Sequence, residues 1–327
     1  MTALVSGTAG FIGYHVAEAL LARGDDVIGI DNINDYYDVR LKQARLARLE
    51  DKPGFRFRRA DIADRDVIHD LVRKEPGIDV IVHLAAQAGV RYSLVDPYAY
   101  VHSNVMGHLV MLEAARLAPR LRHFVYASSS SVYGANSTLP FSETDRVETP
   151  LSMYAATKLA DEMMSHAYGH LHALPQTGLR FFTVYGPWGR PDMAYYSFAR
   201  AIMAGEPITL YEGGTLRRDF TYIDDIVAGV VGCLDHPPDR TPPARVLNIG
   251  NHRSELVSTL VELLETSLGR RAVIREVPRP LSDVPETFAS VAAISALTGF
   301  APRTTLAEGI PRFVAWFKAW NGHPQEV

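Results

Sequence analysis

Tyr154 and Lys158 stand four residues apart in the run Tyr154-Ala155-Ala156-Thr157-Lys158. On a helix that spacing puts both side chains on one face, one turn apart. A free tyrosine, with a pKa of about 10, is a poor base at neutral pH. A neighbouring ammonium and a positive nicotinamide ring both stabilise its phenolate. Such a tyrosine can take a proton from a sugar hydroxyl while hydride leaves the same carbon. A second run, Gly7-Thr8-Ala9-Gly10-Phe11-Ile12-Gly13, opens the chain and can hold a dinucleotide. YxxxK by itself occurs in ordinary surface helices, and GxxGxxG in any glycine-rich chain. Together and in this order they read as a nicotinamide-dependent enzyme acting on an alcohol or ketone.

The glycines gain meaning from a strand before them and a helix after them. Gly7 permits the tight turn, Gly10 lets backbone approach a pyrophosphate, and Gly13 lets the helix pack on the strand. The helix N-terminus then offers free N–H groups and its positive dipole end. Asp31 follows Gly13 by 18 residues. A carboxylate there accepts from an adenosine ribose and repels a 2′-phosphate, which favours NAD over NADP. Asp61 is expected to end the third strand, either meeting the adenine amino group or capping a turn before Asp64. Leu84-Ala85-Ala86-Gln87 ends the fourth strand in small residues and leaves room for a cofactor. The candidate NAD-binding set is Gly7, Gly10, Phe11, Ile12, Gly13, Asp31, Asn32, Asp61, Ile62, Leu84, Ala85, Ala86, Gln87, Asn104, Tyr154 and Lys158. After the fifth strand, Ser128-Ser129-Ser130-Ser131-Val132-Tyr133-Gly134 places hydroxyls where they can bind the reacting oxygen.

The elements that must position these groups alternate through the first half. Thr2–Ser6, Asp26–Asp31, Phe55–Asp61, Val80–Ala85 and Phe124–Ser128 read as strands. Phe11–Arg23, Val39–Glu50, Arg65–Lys74, Tyr98–Leu117 and Ser152–Leu171 read as helices. Ile12, Val16 and Leu20 form a buried stripe on the first of them. This order predicts an α/β protein with a Rossmann-type doubly wound parallel sheet and a smaller C-terminal substrate-binding lobe. The dinucleotide domain is expected over 1–175, with segments returning from about 223–250, and the lobe mainly over 176–327. In the second half, where Pro and Gly become frequent, Val246–Gly250 reads as a buried strand and Ala307–Trp320 as a closing helix. His236–Pro243 reads as a surface loop.

Of 327 residues, 47% are hydrophobic and 21% charged, an ordinary globular balance able to form a core. The net charge of −4 gives no general attraction to nucleic acid or an anionic membrane. Arg56, Arg58 and Arg59 read as an exposed strand face. No apolar run reaches the roughly 20 residues of a membrane span. The chain starts directly on a strand, so no signal peptide is expected. Cys233 is the one cysteine; it reads as a buried apolar residue, and the absence of any disulfide suits a reducing cytoplasm. No HExxH motif and no carboxylate cluster accompany the 12 histidines, so no metal is expected.

The chain resembles the extended short-chain dehydrogenase/reductase family, in particular its nucleotide-sugar epimerases. The likeness runs over nearly its whole length. It is carried by Asp31-Asn32-Ile33-Asn34-Asp35-Tyr36-Tyr37-Asp38, by Leu84 to Ser93, by Arg180 to Met193, and by Arg218 to Asp225. It is most similar to the members acting on UDP-uronates. The resemblance implies interconversion of UDP-glucuronate and UDP-galacturonate by inversion at C4. It assigns catalysis to Ser129, Tyr154 and Lys158. UDP-sugar contacts fall to Ser129, Ser130, Ser131, Thr183, Arg190, Arg218 and Arg279. Arg218 and Arg279 would meet the diphosphate. The family's usual Gly-Asp after the proline is replaced here by Pro280-Leu281-Ser282-Asp283, which departs from the pattern around Arg279. Thr183, where neutral-sugar epimerases and uronate decarboxylases have Asn, would help hold a C6 carboxylate. A homodimer through helices 98–117 and 152–171 is a further family expectation. Alternatives are a UDP-glucose 4-epimerase, a UDP-glucuronate decarboxylase and a non-catalytic NAD-binding partner. Ser130-Ser131, where a 4,6-dehydratase has Asp-Glu, argues against that activity.

Overall fold

The computed structural model of the chain describes residues 1–280 and 283–322. Its centre is a seven-stranded sheet. The strands are β1 (Thr2–Ser6), β2 (Asp26–Asp31), β3 (Phe55–Arg59), β4 (Val80–His83), β5 (His123–Ser129), β6 (Gln176–Phe181) and Ala244–Ile249. Across the sheet they run Ala244–Ile249, β6, β5, β4, β1, β2, β3, every pair parallel. The Rossmann-type doubly wound sheet is therefore present. Alternate residues feed opposite faces: Ala3 and Val5 of β1 enter one apolar cluster, while Leu4 enters the other. Both faces are covered, as parallel sheets require. On the edge strand β3, Arg56, Arg58 and Arg59 are exposed, a charged border that discourages pairing with another chain.

The helices α1 (Phe11–Ala22), α2 (Val39–Glu50) and α3 (Arg65–Lys74) lie close to their expected bounds. Asp38 and Asp64 cap α2 and α3 by accepting from Arg40 N and Val67 N. Chain order reverses between β1 and β4, so the crevice of the sheet opens at their carboxyl ends.

Three departures from the expected elements bear on the site. First, β3 stops at Arg59 and β4 at His83, so Asp61 sits in a turn where it accepts from Ala63 N at 2.9 Å. Second, the helix expected over Tyr98–Leu117 widens to a π-helix over Val101–Met106 before resuming at Gly107–Leu117. That widening carries Asn104, which is buried and bonded to Gln87 and Thr157; π-bulges favour such functional positions. Third, β6 and four helices (Ala194–Ala204, Ile223–Leu234, Val257–Leu268 and Ala292–Thr298) lie in the half that shows little periodicity. The sheet thus takes a strand from just beyond residue 175.

β6 hides in the sequence because four of its six buried residues, Gln176, Thr177, Gly178 and Arg180, are polar or small. Gln176 donates to Ser165 O, Thr177 pairs with His123, and Arg180 pairs with Glu162. At Gly178 a Cβ would strike the Tyr126 ring at 2.5 Å. Each of these polar side chains has at least one partner on another element, so burial needs no apolar run. Beyond the sheet, three two-stranded pairs build the smaller region: Thr183–Tyr185 with Phe220–Tyr222, Arg217–Arg218 with Glu255–Leu256, and Pro207–Tyr211 with Val273–Val277.

At the dinucleotide end, backbone packs closely on backbone at Gly13. A Cβ there would lie 2.1 Å from the Gly7 carbonyl oxygen, so either α1 or the turn must move. Gly13→Ala is expected to lower stability by about 1–3 kcal/mol and to yield protein with less bound dinucleotide. Thermal melting and the 260 nm absorbance of purified protein check this; a variant matching the parent in both would contradict it.

Candidate active site

A cleft of about 430 Å³ lies over the carboxyl ends of β1, β2, β4 and β5. At its dinucleotide end Gly7 N donates to Ile30 O at 2.7 Å and Gly10 N to Gly7 O at 2.9 Å. The Ser6 hydroxyl accepts from Leu84 N and Ala85 N, both at 3.1 Å, and so fixes β4's end beside the glycine turn. Asp31 accepts from Ala9 N at 3.1 Å and Ile33 N at 2.8 Å. Those bonds hold a carboxylate at the cleft and keep Ile33 at φ +53°, a conformation a β-branched residue rarely adopts.

Gly7, Gly10, Phe11, Ile12, Gly13, Asp31, Asn32, Ile62, Leu84, Ala85, Ala86 and Gln87 all line this end. Asp61 and Asn104 do not. Asp61 sits at the margin, bonded to Asn32 and His102. Asn104 stands behind the wall, accepting from Gln87 N at 2.8 Å and donating to Gln87 O at 3.1 Å. The residues fit NAD on two grounds. A Cβ at Gly7 or Gly10 would come within 2.9 Å of backbone, so the cradle is bare main chain. Gln87 Nε2, buried in the lining, has no partner and is a donor awaiting an acceptor.

At the centre, Tyr154 and Lys158 rise from the helix Met153–His172, capped by Ser152 through Ala155 N. Both line the cleft. Lys158 is buried, and its ammonium donates to Ala127 O and Asp161 Oδ2, each at 3.0 Å. Asp161 is 1% exposed, and burial raises its carboxyl to about 6 against the opposing pull of Lys158. The Tyr154 ring packs edge-on to Tyr100 at 6.0 Å. Ser129, Ser130 and Ser131 line the same space. Ser131 donates to Ser129 Oγ through its amide at 3.2 Å and its hydroxyl at 2.9 Å, which leaves the Ser129 proton free to point at a ligand.

At the far end lie Thr183, Arg190 and Arg218. Arg190 forms a two-point ion pair with Asp192, to which Tyr36 also donates at 3.3 Å. Burial works against the Arg190 charge, but Asp192 outweighs it and the guanidinium is held more basic than usual. Burial, with Arg279 and Arg91 adding repulsion, moves Arg218 the other way despite its pairing with Asp283. Arg279 does not line the cleft. It donates to the Asp283 carbonyl at 2.5 Å and lies 3.5 Å from Glu212. Leu281 and Ser282, in the departing stretch beside it, lie outside the described residues.

The sequence reading passed over several neighbours. Asn34, Tyr36, Tyr37 and Lys42 line the cleft. Asn34, Tyr36 and Tyr37 belong to a segment quoted for its resemblance; Lys42 looks like any helix-surface lysine, yet burial lowers it to about 8. Asp161 had a legible signal, a carboxylate three residues beyond the lysine. His166 and His170 have a metal-like four-residue spacing that the reading missed, but both are exposed. Among the described residues no group of three His, Cys, Asp or Glu can hold a metal, and no helix is long and apolar enough to cross a membrane.

The chain matches the model of the NAD dependent epimerase/dehydratase family over residues 3–250. It is 46% identical to a probable UDP-glucuronate 4-epimerase of Rhizobium meliloti, over 97% of each chain. It is 47% identical to UDP-glucuronate 4-epimerase 2 of Arabidopsis thaliana, over 97% of this chain and 76% of that one. Among solved structures, UDP-glucuronic acid 4-epimerase from Bacillus cereus, in complex with UDP-glucuronic acid and NAD, superimposes with a TM-score of 0.90. That match has 35% identity and covers 98% of this chain and 100% of the other.

The Lys158–Asp161 pair has a pH signature. Folded Asp161 keeps its proton to about 6, against 3.8 ordinarily. Within that window the native state binds more protons than the unfolded one, so Asp161's contribution to stability falls as pH rises and then levels. Asp161→Asn should therefore gain stability relative to the parent between about pH 4 and pH 6. Melting curves of both proteins across that range check this; parallel curves would count against it.

Proposed function

The chain belongs to the NAD dependent epimerase/dehydratase family, and from that premise we propose how its cleft works. The protein is an NAD-dependent isomerase that interconverts UDP-glucuronate and UDP-galacturonate through a transient 4-keto sugar. One observation carries the reading: a bare-backbone dinucleotide cradle, the Tyr154–Lys158 pair, a wall of hydroxyls and two arginines share a single cleft. NAD supplies a hydride acceptor that can return what it takes. The remaining chemistry belongs to the protein.

Tyr154 removes the proton of the 4-hydroxyl and later gives it back to the other face. Lys158, fixed by Ala127 O and Asp161, keeps a positive charge beneath that phenolic oxygen and holds the nicotinamide ribose. Ser129 donates to the reacting oxygen. The sugar must turn about its diphosphate linkage between the two hydride transfers. The UDP half therefore has to stay gripped, the role of Arg190 and Arg218, with Arg279 reaching the diphosphate through the Asp283 loop. The glycine cradle, Asp31, Asn32, Ile62 and the Leu84–Gln87 wall hold the dinucleotide, with Asp61 and Asn104 steadying the wall from outside it.

Thr183, Ser130 and Ser131 hold the C6 carboxylate. Oxidation at C4 makes a β-keto acid, which loses CO2 fastest when the C5–C6 bond stands perpendicular to the carbonyl plane. Hydroxyls that keep the carboxylate from that geometry preserve the uronate. The comparisons favour this substrate over a neutral hexose, since the relatives described above are named for UDP-glucuronate.

The protein is a homodimer of the cytoplasm in this reading. Tyr98, Val101, Met106, Met163 and Leu171 leave apolar surface exposed along the helical stretches 97–117 and 153–172, which supports pairing there. The buried free thiol of Cys233 suits a reducing compartment.

Three measurements test this. Proton NMR with UDP-glucuronate and no added cofactor should show UDP-galacturonate accumulate, and Tyr154→Phe should slow that by at least about 100-fold. Parental turnover in Tyr154→Phe would remove Tyr154 as the acid/base, and a parent without turnover would restore the non-catalytic reading. Thr183→Val should release a UDP-pentose by-product, and its absence would remove the hydroxyl-restraint argument. Light scattering after size-exclusion chromatography should give twice the chain mass, falling to one chain in Tyr98→Glu/Met163→Glu; a monomeric parent rejects the dimer.

A further inference from the structure

The Arg45 guanidinium is completely buried, on α2. Its five N–H groups make five bonds, all to neutral oxygens. Nη1 donates to Ala9 O at 2.9 Å and to the Tyr37 hydroxyl at 2.7 Å. Nε and Nη2 donate to Trp188 O at 3.0 and 2.6 Å, and Nη2 also to Gly189 O at 3.0 Å. Two cations of the cleft have a carboxylate each, Lys158 with Asp161 and Arg190 with Asp192, while Lys42, also on α2, donates to the neutral Asn34 O and Oδ1. A desolvated charge held by dipoles alone is costly unless every donor is satisfied, so this geometry tolerates little change.

The acceptors belong to three separate segments. Ala9 lies in the glycine turn, and its amide donates to Asp31. Tyr37 lies in the loop after β2 and lines the cleft. Trp188 and Gly189 immediately precede Arg190. The last segment is stiff. Trp188 sits at φ +60°, and a Cβ on Gly189 would lie 1.8 Å from the Tyr195 hydroxyl. His15 of α1 adds a second tie, from Nε2 to Pro187 O at 3.1 Å. The glycine turn cannot shift without moving the base of the arginine that faces the nucleotide sugar.

We propose that Arg45 is a positioning residue that couples the two halves of the cleft. Ordering the glycine turn around a dinucleotide fixes the Arg190 turn, and gripping a UDP group fixes the glycine turn. This rests on the reading of the cleft as an NAD and UDP-sugar site. Lysine cannot substitute, because three donors on a flexible stem cannot span acceptors that a planar fork reaches at once.

The test is titration of UDP, by calorimetry, into NAD-loaded and NAD-free protein. In the parent, NAD should tighten UDP binding at least about fivefold, with UDP tightening NAD by the same factor. In Arg45→Lys the ratio should fall close to one, whatever the melting temperature does. A role confined to stability would lower the melt and leave the ratio alone. Tyr37→Phe keeps the guanidinium and its carbonyl bonds, and should give an intermediate ratio. A parental ratio in Arg45→Lys overturns the proposal, as does a parental ratio in Tyr37→Phe should Arg45→Lys not fold. A ratio of one in the parent also overturns it. Failure to bind UDP in either form is a separate result, which removes the cleft reading and this proposal with it.

Discussion

The helix that carries Tyr154 and Lys158 is held at one height against the sheet by a buried ion pair. Glu162 accepts from Arg180 Nε at 2.8 Å and Nη2 at 2.7 Å, and also from the Ser128 hydroxyl. Arg180 is on β6 and Ser128 on β5, so one carboxylate locks the helix to two adjacent strands. The guanidinium also packs over the Tyr133 ring at 4.8 Å, and Tyr133 bonds Asn248 on the last strand at 2.7 Å. Breaking a buried pair leaves an unpaired charge, which costs about 3–5 kcal/mol. A hydrophobic contact of the same area could slide; this one is directional.

The consequences reach the chemistry. Glu162 lies one turn beyond Lys158 on the same helix. Fixing Glu162 therefore fixes where the ammonium meets Ala127 O and Asp161. Ser128 and Ser129 are neighbours, so the bond that anchors the helix also sets the start of the serine wall. The groups proposed for catalysis, on a strand end and a helix, are thereby placed in one frame. The buried histidines near this frame, His83 and His108, 5.4 Å apart, are kept neutral by burial, with Lys158 adding to the effect. They fill space without competing for protons.

At the substrate end the balance of charge is different. Arg190 pairs with Asp192, two residues along its own loop, and Arg218 pairs with Asp283 from a separate segment. Both pairs are more exposed than Glu162–Arg180. That difference matches the proposed tasks: the proton-transfer groups need a fixed frame, whereas the end proposed for the diphosphate must accept and release a ligand.

The sequence by itself determined the dinucleotide half, because its information is local. Gly7, Gly10 and Gly13 declare a turn within one strand–helix unit, and Tyr154 and Lys158 are one helical turn apart wherever that helix lies. Periodicity located the first five strands for the same reason. Tertiary structure decided what depends on residues far apart in the chain. β6 was illegible because Gln176, Thr177 and Arg180 are buried only by virtue of partners on other elements. Asn104, on the π-helical stretch, bonds the Gln87 backbone, a contact across 17 residues that local pattern does not reveal. Arg279 donates to the Asp283 carbonyl, a contact that joins it to the Arg218 pair and that only the folded chain makes. Arg45 and Lys42 of α2 are buried under loops, Arg45 by the Trp188–Gly189 turn and Lys42 by the Asn34 segment. A buried charge is defined by what surrounds it, and those surroundings come from segments the linear sequence does not join.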